Sequence, residues 1–314
     1  MCLIALAIDQ HRRFPLVLAS NRDEFFSRPT ARLSWWQPED SAVPLLAGRD
    51  LLQGGTWLGL SAQGRLAVVT NVRQGLPSDP KAPSRGHIVP QWLAQRESAD
   101  RFWMHTALSG HNGFNLLALD FKENHCFWTS NLSAHPLRLA RGLHALSNGM
   151  MDDAPWPKVT RLKRALKQAL DGCDPHTSVD GLADTLFAAL ADRQVAPDEA
   201  LPETGLSLLR ERELSAAFVR TADGTYGTRS STLVITERVQ RRLVTHVLER
   251  SFSAQSGVVL VRRSQLKHWP PRPTDPSSAP EAVSESPSVP PSEAPGEPTT
   301  AVKRQRMRRL LRPG

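Results

Sequence analysis

Short apolar runs alternate with polar turns along most of the chain, a pattern typical of antiparallel strands. Residues 2–8 and 15–20 predict one strand pair, and residues 56–60 and 66–71 predict a hairpin around Gly64. Comparable runs predict further strands at residues 114–119, 126–129, 143–148, 216–220, 231–236 and 242–248.

Apolar residues recur at helical spacing in three segments that lie between these strands. The segments are residues 87–108, 157–171 and 179–191, and Pro157 stands where a helix can begin. Strand pairs followed by helices and then by more strands indicate an antiparallel, layered α+β domain rather than alternating βαβ units.

The composition changes sharply after Trp269. Eleven of the 25 prolines follow His268, and residues 270–301 contain almost no aliphatic or aromatic side chains. Such a segment cannot offset the entropy of ordering. We therefore predict one folded domain over residues 1–269 and a disordered, Pro/Ser/Glu-rich linker over residues 270–314 that ends in a basic tip.

Much of the formal net charge of +8 comes from this tip, where six Lys and Arg residues lie between Lys303 and Arg312. The tip could make a weak contact with an acidic surface, or it could be a solvated tail without a specific partner. The rest of the chain has no comparable basic block and no nucleic-acid-binding motif, so we expect no specific nucleic-acid partner.

The three cysteines, Cys2, Cys126 and Cys173, are too widely spaced to indicate a disulfide framework or a zinc site. The N-terminal apolar run lacks the basic residues of a signal peptide, and no segment approaches the roughly 18 apolar residues of a membrane span. We expect a reduced, cytoplasmic protein. The histidines show no ligand-like spacing, so we expect no metal site. We also expect no cofactor.

Cys2 carries the strongest chemical signal in the chain. Removal of Met1 would make Cys2 the N-terminal residue, with a thiol and a free α-amine on the same residue. Their reference pKa values of about 8.5 and about 7.7–8.0 allow the amine to accept the thiol proton, as in N-terminal nucleophiles of acyl transfer. Its position alone leaves open a buried strand that merely contains a cysteine.

Further polar residues cluster near the ends of the predicted strands, at residues 21–24, 71–73, 148 and 228–230. Acyl transfer needs neutral donors aimed at the developing oxyanion, which Asn supplies, and charged groups that hold the nucleophile in place. Each of these residues taken alone has a structural alternative, such as a turn, a cap or an ion pair.

As a set, the motifs resemble the NRDE family, also called the transport and Golgi organization family. The matching stretches lie within roughly residues 2–250 and read MCLIALAI, ASNRDEFFSRP, LLAGRDLLQGGTWLGL, GRLAVVTNVR, GFNLLALD, LSNGMMDDAPWPKV and YGTRSSTLV. The resemblance implies links to Golgi organisation, to lipid or acyl-CoA metabolism and to haem trafficking. It does not define a biochemical activity.

The order of the motifs also looks like that of the choloylglycine hydrolases and penicillin V acylases. These are N-terminal-nucleophile hydrolases with a four-layer αββα fold. The resemblance implies that Cys2 is the nucleophile, that Asp23 holds the amine and that Asn71 donates to the oxyanion. It further implies that Asn148 and Arg229 orient the substrate.

One position departs from the pattern of these hydrolases. They have an Arg a few residues before the matching Asp, whereas here Arg22 directly precedes Asp23. Because side chains alternate along a strand, Asn21 and Asp23 should share a face and Arg22 should oppose them, unless a bulge intervenes. Arg22 stays among the candidate site residues with its role open.

Two functions from different classes follow. The first is an amidohydrolase that acts on a non-peptide amide or thioester with an apolar acyl group. The second is a non-catalytic protein that binds and carries haem or acyl-CoA in the same pocket. A scaffold recruited to acidic surfaces by the basic tip is a third. Trp35 and Trp36 could line the mouth of an apolar pocket or belong to the core.

Overall fold

Thirteen strands form two antiparallel sheets in the computed structural model, which describes residues 2–73, 78–95, 97–152, 156–254 and 258–271. The strands are β1 (Cys2–Ile8), β2 (Leu16–Phe25), β3 (Thr30–Trp36), β4 (Leu45–Asp50), β5 (Leu58–Ser61), β6 (Arg65–Asn71), β7 (Phe114–Asp120), β8 (His125–Ser130), β9 (Leu137–Arg138), β10 (Gly142–Leu146), β11 (Tyr226–Val239), β12 (Arg242–Phe252) and β13 (Val258–Lys267). The helices in this range are α1 (Ile88–Ala94), α2 (Ala99–Ala107), α3 (Pro157–Asp171), α4 (Val179–Leu190) and α5 (Leu208–Glu213).

The first sheet has the strand order β10-β1-β2-β11-β12-β13, and the second has the order β3-β4-β5-β6-β7-β8-β9. In the first sheet β1 lies between β2 and β10, and its register places Cys2 opposite Arg22 and Ile4 opposite Leu146. Cys2 therefore begins an interior strand, with hydrogen-bonded neighbours on either side of β1.

The two faces of β1 pack against different layers. Leu3, Ala5 and Ala7 join the core formed with α3 and α4, whereas Cys2 and Ile4 face the core between the sheets. A third core lies on the outer side of the second sheet, under α1 and α2. The layer order is helices, sheet, sheet, helices, which confirms the predicted four-layer αββα sandwich.

Local signals predicted the helices of the first outer layer well. The predicted segments 157–171 and 179–191 agree with α3 and α4, which begin at Pro157 and after the capping residue Ser178. The predicted segment 87–108 is instead two helices. Where α1 ends, the Arg65 guanidinium donates to the carbonyl groups of Trp92, Gln95 and Glu97. These bonds satisfy carbonyl groups that the end of the helix leaves without a partner.

The strand predictions contain one error and several omissions. Residues 216–220 are not a strand, because the Phe218 amide donates to the Asp192 carbonyl and the Val219 amide donates to the Thr228 hydroxyl. The strands β3, β4, β9 and β13 were not predicted. Two polar clusters, residues 21–24 and 228–230, lie largely within β2 and β11 rather than beyond strand ends.

The far end of the described chain is fixed to the sandwich. The Trp269 indole donates to the Ser61 carbonyl at 2.9 Å, and the Thr245 hydroxyl donates to the Trp269 carbonyl at 2.7 Å. Of the predicted linker 270–314, all but the first two residues lie outside the described residues, so the linker and its basic tip stay predictions. Within the ranges given above, no helix is long and apolar enough to cross a membrane.

Candidate active site

The side chain of Cys2 lines a cavity of about 420 Å³ at one end of the central strands. Cys2 is almost fully buried, and desolvation by burial raises the pKa of its thiol. Its backbone is held from both sides, by the pairing with Arg22 on β2 and by the Ser147 hydroxyl, which lies 3.1 Å from the Cys2 carbonyl oxygen. The cavity therefore presents a thiol at a fixed position.

Arg22 shares the face of Cys2 because directly opposed residues of an antiparallel pair point to the same side. Its guanidinium lies 4.2 Å from the ring centre of Trp57 and 3.8 Å from Glu24 Oε2. Arg22, Trp57 and Glu24 all line the cavity. The expected alternation along β2 holds, and it places Arg22 rather than Asp23 on the face of Cys2.

Asp23 follows Arg22 on β2, one residue beyond the position that pairs with Cys2. Because side chains alternate along a strand, it lies on the side of the sheet that faces the helices. Its carboxylate is fully buried and accepts a hydrogen bond of 2.7 Å from the Thr228 hydroxyl. Burial raises the pKa of Asp23, while the positive charge of Lys158 and the Thr228 hydrogen bond act in the opposite direction. Asp23 also lines the Cys2 cavity.

Lys158 is a residue that the sequence analysis missed. It lies in the first turn of α3, it is 1% exposed, and its ammonium donates to the Leu214 carbonyl at 2.9 Å. Desolvation by burial lowers the pKa of Lys158 to about 8. Behind it, Arg73 pairs with Glu211 at 2.8 Å, and both side chains are buried. A network of buried charges thus supports Asp23.

Asn71 ends β6 in the second sheet and is one of the residues that line the Cys2 cavity. Asn148 is fully buried and is absent from the described lining of that cavity. Its amide nitrogen donates to the Asn71 carbonyl at 2.8 Å, and its carbonyl accepts from the Arg73 amide at 2.8 Å. Asn148 therefore positions the end of β6 across the gap between the sheets.

Arg229 is not brought to the Cys2 cavity in the described part of the chain. It is the extra residue of a β-bulge between Thr228 and Ser230, where β11 pairs with β2. Its guanidinium donates to the carbonyl groups of Phe25, Phe26 and Arg28, and it borders a neighbouring cavity. This geometry favours a structural role, while the substrate-orienting role stays a prediction.

The two predicted tryptophans lie apart from Cys2. Trp35 is exposed, whereas Trp36 lines a cavity of about 330 Å³ together with Arg49, whose guanidinium lies 4.9 Å from the Trp36 ring centre. Gln53 borders both this cavity and the Cys2 cavity. The site thus has a charged chamber at Cys2 with a less polar cavity beside it.

The fold and the cavity together define an αββα sandwich protein with a cysteine-lined site at the ends of its central strands. The profile described as Transport and Golgi organisation 2 matches residues 1–254. The chain belongs to this family, as the sequence motifs indicated.

A homologue from Bos taurus supports the same assignment. The Transport and Golgi organization protein 2 homolog of Bos taurus is 31% identical over 250 residues, which cover 76% of this chain and 89% of that protein. Among solved structures, the Caenorhabditis elegans ortholog of N-acylethanolamine-hydrolyzing acid amidase covers 74% of this chain and 92% of its own, with 10% identity and a TM-score of 0.44. A variant of the conjugated bile acid hydrolase of Clostridium perfringens covers 85% of this chain and 98% of its own, with 8% identity and a TM-score of 0.43.

Replacement of Lys158 by Met should change how stability depends on pH. The folded pKa of Lys158 is about 8, and an unfolded Lys titrates near about 10.4. Between these values the unfolded chain binds more protons, so the free energy of unfolding should rise with pH by up to about 1.4 kcal/mol per unit. K158M should lose that rise.

Urea unfolding of the wild type and of K158M across this pH window measures the difference. K167M is the matched control, because Lys167 is exposed on the same helix and its ammonium pairs with Asp171 at the surface. Equal slopes in wild type and K158M would contradict a buried, titrating Lys158.

Proposed function

We propose that this protein is an N-terminal-cysteine amidohydrolase that acts on a non-peptide amide or thioester with an apolar acyl group. The proposal includes removal of Met1. The observation that carries it is the position of Cys2. This residue begins an interior strand and lines a cavity that Asn71 also lines. A purely structural cysteine would need neither the cavity nor the polar residues around it.

In the proposed reaction, the Cys2 sulfur attacks the carbonyl carbon of the substrate while the thiol proton moves to the α-amine of the same residue. The bond from carbon to nitrogen or sulfur then breaks, and the leaving group takes the proton from the ammonium. Water hydrolyses the resulting thioester and regenerates the thiol. The apolar part of the lining includes Trp57, Val69 and Pro80, against which an acyl chain can pack.

The surrounding residues have distinct roles in this proposal. Asp23 holds the α-amine, because Asp23 lies just beyond the paired end of β1. The Asn71 amide donates to the oxyanion. Arg22, on the face of Cys2, favours the thiolate, since its positive charge acts against the rise in the pKa of the thiol. The Asn148 side-chain amide positions Asn71 by donating to the Asn71 backbone carbonyl.

One observation favours the alternative, a non-catalytic protein that binds haem or acyl-CoA. Burial raises the pKa of the Cys2 thiol, and a protonated thiol is a weak nucleophile. Without proton transfer to the α-amine, the same cavity would bind a ligand without turning it over. The two functions are separated by the behaviour of Cys2 and Asn71.

An acylating probe should label Cys2 in preference to the other thiols, because only Cys2 would have its own amine as a base. Burial raises the pKa of Cys126 to about 12 and also raises that of Cys173. Peptide mass spectrometry of probe-treated protein measures the preference, with C126A and C173A as controls. Equal labelling of the three cysteines, or none at Cys2, would remove the chemical basis of the hydrolase.

Replacement of Asn71 by Ala should lower kcat by about 10²–10³ while ligand affinity changes little, since an oxyanion donor acts mainly in the transition state. The assay needs a substrate found by screening acyl amides and acyl-CoA thioesters. N112A is the matched control, because Asn112 also borders the cavity but its amide is engaged by the backbone of Asp79.

If the protein is instead a non-catalytic carrier, we expect a different outcome. Haem or acyl-CoA would bind saturably, no amide or thioester would be turned over, and C2A would bind as tightly as the wild type. That combination would decide against the hydrolase.

A further inference from the structure

Three arginines line the Cys2 cavity, and two of them are paired with carboxylates. Arg28 bonds Asp50 at 2.5 Å, and Arg22 lies 3.8 Å from Glu24. Arg85 differs from both. Among the residues that the structure describes, its guanidinium pairs with no carboxylate, and its hydrogen-bond partner is the Gly113 carbonyl, 2.9 Å from Nη1.

The backbone around Arg85 is held in place by contacts on two sides. The Ser84 hydroxyl accepts from the Gly86 amide at 3.3 Å, and the Thr56 amide donates to the Gly86 carbonyl at 2.9 Å. Gly55 permits this close approach, because a Cβ added there would lie 2.4 Å from the Gly86 carbonyl group. The single bond to Gly113 then orients the guanidinium, so little ordering is left to occur on binding.

A partly buried cation without an anion is energetically unfavourable, and desolvation lowers the pKa of Arg85 accordingly. The acidic side chain that most opposes this lowering is Glu24, which already interacts with Arg22 and Arg28. Asp79 also borders the cavity, but it is exposed and its carboxylate accepts from the Lys81 amide. Within the described ranges, the donors of Arg85 that Gly113 leaves unused have no protein partner and can bind a ligand.

We propose that Arg85 binds an acidic group of the substrate, a carboxylate or a phosphate, while the acyl carbonyl lies at Cys2. A guanidinium can bind either anion through two parallel charge-assisted hydrogen bonds. The substrate would then be an acyl compound whose remaining part is anionic. This inference rests on the proposed function for the carbonyl at Cys2, whereas anion binding at Arg85 does not require turnover.

The test measures binding in a C2A background, so that failure of the hydrolase and failure of this inference are distinguishable. N-octanoylglycine is compared with the matched neutral N-octanoylglycinamide by calorimetry, and N-octanoyl-ethanolamine phosphate and inorganic phosphate supply the phosphate arm. C2A should bind one of the acids at least about tenfold more tightly than the amide. Which acid it prefers identifies the anion.

Adding R85Q to C2A should weaken the binding of the acid about tenfold and so remove the preference. The affinity for the neutral amide should stay unchanged. R85K keeps the charge and should retain part of the preference. R164Q is the matched control, because Arg164 is exposed on α3, where no residue borders the cavity.

Two results would overturn the inference. One is equal weakening of acid and amide by R85Q, which would indicate a structural role through Gly113. The other is no saturable binding of any of these acidic probes at millimolar concentration.

Discussion

The register between β1 and β2 determines the geometry on which the rest of the site depends. Because Cys2 is paired with Arg22, the cysteine and a cation share one face, and Asp23 falls just past the end of β1. A shift of one residue would move every side chain of β1 to the opposite face. It would carry Cys2 into the helix-side core and Leu3 into the cavity, so the buried alternation of β1 protects the site.

The second constraint is the free-energy cost of burying charge. Asp23 and Lys158 are both buried, and each favours the ionised form of the other. Arg73 and Glu211 are paired at 2.8 Å beside them. Loss of one partner from such a pair leaves an uncompensated buried charge, which is strongly destabilising. The charges behind Cys2 are therefore interdependent, and the position of Asp23 is a property of the whole network.

Sequence patterns predicted the parts of the fold that rest on local signals. Pro157 and the apolar spacing after it define α3, and the run after Met1 defines β1. The patterns could not predict Val219, whose amide bonds a side chain on β11 instead of a neighbouring strand. Nor could they separate Lys158 from the exposed Lys167 on the same helix, because burial depends on what packs against the helix rather than on spacing.

The candidate site shows the same division. Cys2, Asp23 and Asn71 were predicted from motif resemblance and line one cavity. Arg85 was not predicted, because the lack of a carboxylate partner among the described residues depends on contacts in space rather than on a sequence pattern.

The intact mass of the protein, purified without an N-terminal tag, tests most directly whether Cys2 acts with its own α-amine. We expect the mass of a chain that begins at Cys2. Retention of Met1 in protein that binds or converts its ligand would contradict this mechanism, because an amide nitrogen cannot accept the thiol proton.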